Sequence, residues 1–205
     1  MPRHRDPDGP RAAMINSAIS LIRRRGVAAV SFADVLDASG APRGSVYHHF
    51  PRGRAQLMTE ATEVASSRVA AGVTRALATP ATSAALRALA DMLARGLDKD
   101  DYAVGCPIAA AALGNEPGAV AAAGSAFDTL RDLIAAKLVA DGARPQRARS
   151  IAVTVISALE GALIVARTER SPAALDTVVE ELGELCRVAV EAGRTGRSLT
   201  PPDAS

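Results

Sequence analysis

Alanine occupies 45 of the 205 positions, while only five side chains are aromatic (Phe32, Tyr47, Phe50, Tyr102 and Phe127). Alanine is the strongest intrinsic helix former, whereas sandwiches and barrels draw on aromatic and β-branched residues that pack on a pleated surface. The chain is therefore expected to be all-α, and it is long enough to bury a sizeable core in one domain or two. Its two cysteines, Cys106 and Cys186, lie too far apart for a disulfide scaffold or a zinc-ligand set, so no metal and no cofactor are expected. The most apolar run, Ile151 to Ala166, is interrupted by Glu160 and is shorter than the ~20 residues of a membrane span. With no secretory leader visible, the expectation is a soluble protein of the cytoplasm with no membrane partner.

Charge is unevenly spread. Residues 1–58 carry nine arginines against four acids, net +5, and the remainder is net −3. A basic head on a mildly acidic body suits a segment that meets a polyanion. Helical segments also fluctuate by this much. Arginine outnumbers lysine 22 to 2 throughout, which weakens any argument from the choice of arginine at one site.

Periodicity and punctuation divide the chain. Residues 1–10 read as a disordered arm. From Arg11, Ile15, Ala18, Ile19 and Ile22 recur at helical spacing until Gly26. Ser31 and Asp34 form an S-x-x-D capping box before a short helix that ends at Ser39-Gly40. A third helix is predicted from Ala41-Pro42 to about His49, with Pro42 at its first turn. Two short helices around a turn containing Gly40 describe a helix-turn-helix. A long helix follows over about 54–77, then helices over 81–97, 107–113, 118–140, 146–168 and 172–192. The tail from Arg194 reads as disordered.

The segment Ser31–Leu57 resembles the DNA-binding domain of the TetR family of transcriptional regulators. The resemblance is carried by Phe32–Leu36, Gly40, Gly44, Tyr47, His49-Phe50 and Leu57. Pro42, at a position where Ser or Thr often caps the recognition helix, and Pro51-Arg52-Gly53-Arg54 depart from the general pattern toward the LmrA/YxaF-like branch. Gly105-Cys106-Pro107 points the same way. The resemblance implies a three-helix DNA-binding head (11–53) followed by a helical ligand-binding and dimerisation body (54–193). It implies double-stranded operator DNA, a second copy of the chain and a small-molecule effector as partners, and a repressor released from its operator by that effector. The alternative is a helical interaction protein whose head has lost DNA binding.

The candidate DNA contacts are Ser31, Pro42, Arg43, Gly44, Ser45, Tyr47, His48, His49 and Arg54. A helix starting at Pro42 would turn backbone N–H groups toward phosphate, and an arginine in a major groove is the usual reader of guanine. Tyr47 is read equally as a packing residue or a phosphate contact. His49 is read mainly as structural, and Gly44 alternatively as relief of helix crowding. Arg54 at the start of a helix is an unfavourable dipole position that a phosphate would relieve.

In the body, the 146–168 helix is apolar almost all round and must be covered on every side. Pairing two copies through it and the 172–192 helix would do so, with Val155, Ala158, Ala162, Val165, Leu182 and Leu185 at the interface. Met92, Tyr102, Cys106, Ile108, Phe127, Leu130, Ile156 and Glu160 are the candidate ligand-lining residues. Three histidines away from any triad, no phosphate loop after a strand and no paired carboxylates argue against an enzyme.

Overall fold

The computed structural model describes residues 9–42 and 44–196. Among these residues there are nine α-helices, one 3₁₀ turn and no strand. The helices are α1 (Pro10–Arg25), α2 (Phe32–Ser39), α3 (Ser45–His49), α4 (Gly53–Leu77), α5 (Thr82–Asp98), α6 (Pro107–Ala112), α7 (Pro117–Asp141), α8 (Pro145–Glu169) and α9 (Ala173–Arg194); the 3₁₀ turn is Val27–Ala29. Of the expected arm and tail, residues 1–8 and 197–205 lie outside the described residues, whereas Gly9 and Pro10 open α1 and Arg194 closes α9 with Thr195 as its cap. The third helix is shorter than predicted. Pro42 stays outside it, and its carbonyl accepts from the Ser45 backbone N–H at 2.9 Å and the Ser45 hydroxyl at 2.7 Å.

Two compact units divide the chain elsewhere than at residue 53. The first takes the chain up to Ala70 together with Asp100–Phe127; the second takes Ala71–Lys99 together with the chain from Asp128 on. The long helices α4 and α7 each contribute to both.

In the first unit α1 buries Met14, Ile15, Ala18, Ile19 and Ile22 along one face and packs on α2, α3 and α6. Ser31 caps α2 as its spacing predicts. The Asp34 backbone N–H donates to the Ser31 hydroxyl at 3.1 Å, and the Asp34 carboxylate accepts from the Ser31 backbone N–H at 2.8 Å. Gly40 ends the helix at φ +66°, the left-handed conformation the turn requires and glycine adopts without strain. Helix α6 belongs to this unit through two reciprocal bonds before it: Gly105 N–H donates to the Arg23 carbonyl at 2.9 Å, and Arg23 Nε donates to the Gly105 carbonyl at 3.1 Å. At Gly118 a Cβ would stand 2.3 Å from the Thr59 hydroxyl, so only glycine lets the start of α7 come this close to α4.

In the second unit α8 and α9 pack on each other and on α5. The buried stripe of α8 is Ala148, Ile151, Ala152, Val155, Leu159, Ala162, Leu163 and Ala166. At 25 residues α8 has the length and hydropathy of a membrane span, which counting its uninterrupted apolar run missed. Its stripe is nonetheless a core face: α8 packs on α9, where Leu175, Val179, Leu182 and Cys186 are among the buried residues. Burial pushes the Cys186 thiol up to about 11. Where α5 begins, the Asp141 carboxylate accepts from Lys137 Nζ at 2.8 Å and from the Thr82 hydroxyl.

Candidate nucleic-acid interface

The inner side of α3 is anchored first. Val46 and Phe50, four residues apart, are buried, and each apolar side chain removed from water contributes roughly 1.5–3 kcal/mol. That fixes which side faces out. Gly44, Tyr47 and His48 are exposed, Tyr47 to 68%. The Tyr47 ring rests edge-on against Phe32 of α2, with centroids 5.9 Å apart, so its packing orients a ring that remains open to a ligand. A Cβ on Gly44 would meet nothing within 4 Å, which removes helix crowding as the reason for this glycine. Arg43 lies outside the described residues.

His49 points the other way. It is half-buried, its ring centroid 5.2 Å from that of His48 and 6.5 Å from that of Phe50. Burial, with the neighbouring charges of His48 and Arg11, holds its pKa below the usual histidine value. Its packing beside Phe50 fits the structural reading of this histidine. Ser31 is exposed at the start of α2, but its hydroxyl both accepts from the Asp34 backbone and donates to the Asp34 carboxylate at 2.5 Å.

Arg54, expected as a phosphate contact, is engaged within the protein. Its Nε donates to the Val30 carbonyl at 2.7 Å, its Nη2 donates to the Val27 carbonyl, and its Nη1 lies 3.5 Å from Glu116. The guanidinium satisfies carbonyls around the 3₁₀ turn and offsets a carboxylate, so the dipole argument was answered from inside the protein. Arg23 and Arg24 likewise pair with Asp100 at 3.2 and 3.1 Å, and Arg25 with Asp34 at 3.3 Å. Asp100 is the first residue of the later segment of the same unit, and nothing local in the sequence announces the pairing.

The candidate ligand residues fall in both units. Tyr102, Cys106, Ile108 and Phe127 lie in the first; Met92, Leu130, Ile156 and Glu160 lie in the second. Ile108 and Leu130 are buried core residues and the other six are half-buried. A groove of about 650 Å³ runs between the start of α5 and α9, lined among others by Arg87, Glu180 and Arg187, and none of the eight candidates lines it. Arg87 there pairs with Asp176 at 2.6 Å, and Arg187 with Glu184 at 2.5 Å.

The proposed pairing face also needs correction. Val155, Ala162 and Leu182 are buried within the protomer and cannot meet a second copy; their helical register turns them toward α5, α8 and α9 themselves. Val165 is 41% exposed, and Ala158 and Leu185 are half-buried. The outward side of α8 instead carries Val153, Gly161 and Ile164, with Ile164 63% exposed, and Val178 and Val188 are half-buried on α9. On a helix without a polar face, periodicity does not say which side is inner.

Residues 14–61 match the family described as bacterial regulatory proteins, tetR family, and residues 82–181 match the transcriptional regulator LmrA/YxaF-like C-terminal domain. An HTH-type transcriptional regulator of Mycobacterium tuberculosis, Rv0196, is 43% identical over 185 residues, covering 86% of this chain and 94% of its own. The HTH-type transcriptional regulator LmrA of Bacillus subtilis is 26% identical over 166 residues, covering 78% of this chain and 88% of its own. Among solved structures, regulatory protein TetR from Rhodobacter sphaeroides superimposes with a TM-score of 0.74 at 23% identity, over 86% of this chain and 98% of that one. A TetR transcriptional regulator from Legionella pneumophila gives 0.77 at 18% identity, over 86% and 97%.

Proposed function

The chain belongs to the TetR family of bacterial transcriptional regulators and acts in DNA-binding transcription regulation rather than as an enzyme, and from that premise we propose that it is a cytoplasmic, homodimeric repressor released from its operator by a small molecule. The observation that carries the reading is the two-sided α3, with Val46 and Phe50 locked in the core while Gly44, Tyr47 and His48 stand open. In this reading Pro42, Arg43, Gly44, Ser45, Tyr47 and His48 meet the duplex, and residues 11–53 act as the reading head. Gly44 lets the backbone approach closely, and Tyr47 and His48 supply hydrogen bonds to phosphate or base edges.

The apolar outward side of α8 supports a second copy as the cover, with Val153, Ile164 and Val165 joined by Leu185 of α9. Two heads then read successive major grooves only when about 34–36 Å apart. An effector bound to the body between 54 and 193 that favours a different separation weakens DNA binding, and by linkage DNA weakens effector binding by the same factor.

The test begins with a duplex selected by the full chain from a random pool. Binding that is sequence-selective and falls steeply with salt supports the reading. Small molecules that co-purify with the protein, identified by mass spectrometry, are then titrated with and without saturating duplex. Equal affinities in the two titrations would leave a DNA-binding dimer whose body senses nothing.

A further inference from the structure

The described residues of the head include six arginines up to Arg54, and five of them are held by the protein itself. Arg11 pairs with Glu60, Arg23 and Arg24 with Asp100, Arg25 with Asp34, and Arg54 with Glu116. Among the described residues, the arginine charge of the head is therefore largely matched by carboxylates of the protein itself. Arg52 differs. Its side chain is exposed and makes no ion pair or side-chain hydrogen bond among the described residues.

The backbone beneath it is held firmly. Arg52 N–H donates to Gln56 Oε1 at 3.0 Å, and Gln56 Nε2 donates to Glu60 Oε1 at 3.0 Å. Glu60 pairs with Arg11, whose guanidinium carbon stands 5.3 Å from the Phe50 ring centroid. Gly53 N–H closes the loop by donating to the Phe50 carbonyl at 2.9 Å. The circuit runs from the buried end of α3 back to the turn that follows it, so the turn is fixed while the charge at its tip is left unspent.

Resting on the DNA-binding reading, we propose that Arg52 is the phosphate clamp of this interface, holding the DNA backbone beside the groove that α3 enters. A guanidinium matches two phosphate oxygens with parallel N–H donors. Such a contact fixes register and carries no sequence information. The role that sequence pattern assigned to Arg54 falls in this proposal to Arg52, two residues earlier, which has no side-chain partner among the described residues.

The experiment measures affinity of the full chain for its selected duplex between about 50 and 200 mM salt. Each phosphate contact removed lowers the slope of log affinity against log salt by about 0.9. Arg52→Gln should lower the slope by that amount for each Arg52 engaged, weaken all duplexes alike and leave thermal unfolding unchanged. Arg52→Lys should keep the slope. Arg24→Gln, whose guanidinium is paired with Asp100, should leave it unchanged. A wild-type slope in Arg52→Gln overturns the clamp while leaving DNA binding in place. Loss of slope in both Arg52 variants would trace the effect to the turn's backbone and also overturn it. A wild-type protein with no salt-dependent binding would remove the DNA-binding reading itself, and the clamp with it.

Discussion

The Arg54 guanidinium stands 3.5 Å from the Glu116 carboxylate while reaching back to the carbonyls of Val30 and Val27. One side chain thus joins the start of α4, the 3₁₀ turn after α1 and the turn before α7. Charge-assisted hydrogen bonds are worth about 1.5–3 kcal/mol each, and removing the donor takes one from the Val30 carbonyl and the pairing charge from Glu116, while the Val27 carbonyl keeps the Val30 N–H at 3.3 Å. Arg54→Ala should therefore lower the urea midpoint of unfolding by at least the equivalent of one such bond. Its salt slope for DNA binding should stay that of the wild type. A reduced slope with unchanged stability would return Arg54 to the DNA.

The exposed side of α3 makes the opposite prediction. His48→Ala removes an exposed side chain and should shift unfolding by no more than about 0.5 kcal/mol, whereas Tyr47→Ala also loses the edge-on contact with Phe32 and should cost no more than about 1.5 kcal/mol. Affinity for the selected duplex should fall several-fold in each. Fluorescence anisotropy showing both variants at wild-type affinity would mean that α3 does not read DNA.

Helix α8 separates assembly from folding. Ile164→Arg places a charge on the outward side and should give folded monomers by light scattering. Val155→Arg buries an unpaired charge inside the protomer and should cost on the order of 3 kcal/mol or more, giving unfolded or aggregated protein. An Ile164→Arg variant that stays dimeric would place the interface elsewhere.

The Lys137–Asp141 pair sets an acid limit on the second unit. Burial pushes the Asp141 carboxyl up, but bonds from Lys137 and Thr82, with the charges of Lys137 and Arg194, leave it below its usual 3.8. A depressed carboxyl contributes stability that is whole above the unfolded value and is lost as pH falls through the folded one. Lys137→Met should therefore destabilise at neutral pH by about 1.5–3 kcal/mol. The gap from wild type should close as pH falls below 3.8. A gap that persists in strong acid would assign the loss to the lysine's packing and its bond to the Pro80 carbonyl.

Much of this architecture was legible because its signals are local. The capping box at Ser31 and Asp34, the left-handed Gly40 and the stripe of α1 each act within a few residues, and each stands where its spacing places it. The start of α3 was misplaced because Pro42 is compatible with a first helical turn yet serves equally well as an acceptor outside one. The fates of Arg23, Arg24 and Arg54 were illegible for a different reason. Their partners, Asp100, Gly105 and Glu116, are distant in sequence, and an arginine bound to a carboxylate has the same letter as one bound to a phosphate. Alanine-rich α8 hid its inner side in the same way: Val153 and Val155 are chemically identical, and only tertiary contacts decide which is covered.

The first unit is assembled from two stretches of chain, and that has a cost in time. The carboxylate that pairs with Arg23 is 77 residues downstream. At a synthesis rate of about 5–20 residues per second, it follows Arg23 out of the ribosome by roughly 4–15 s. Meanwhile the end of α1 has neither Asp100 nor Gly105 to bind, and Val27 lacks the covering turn at Gly114. A nascent head is thus sticky and incompletely charged-paired for seconds while α4 and α5 are still being made. A gene fragment ending after α4 would make that interval permanent.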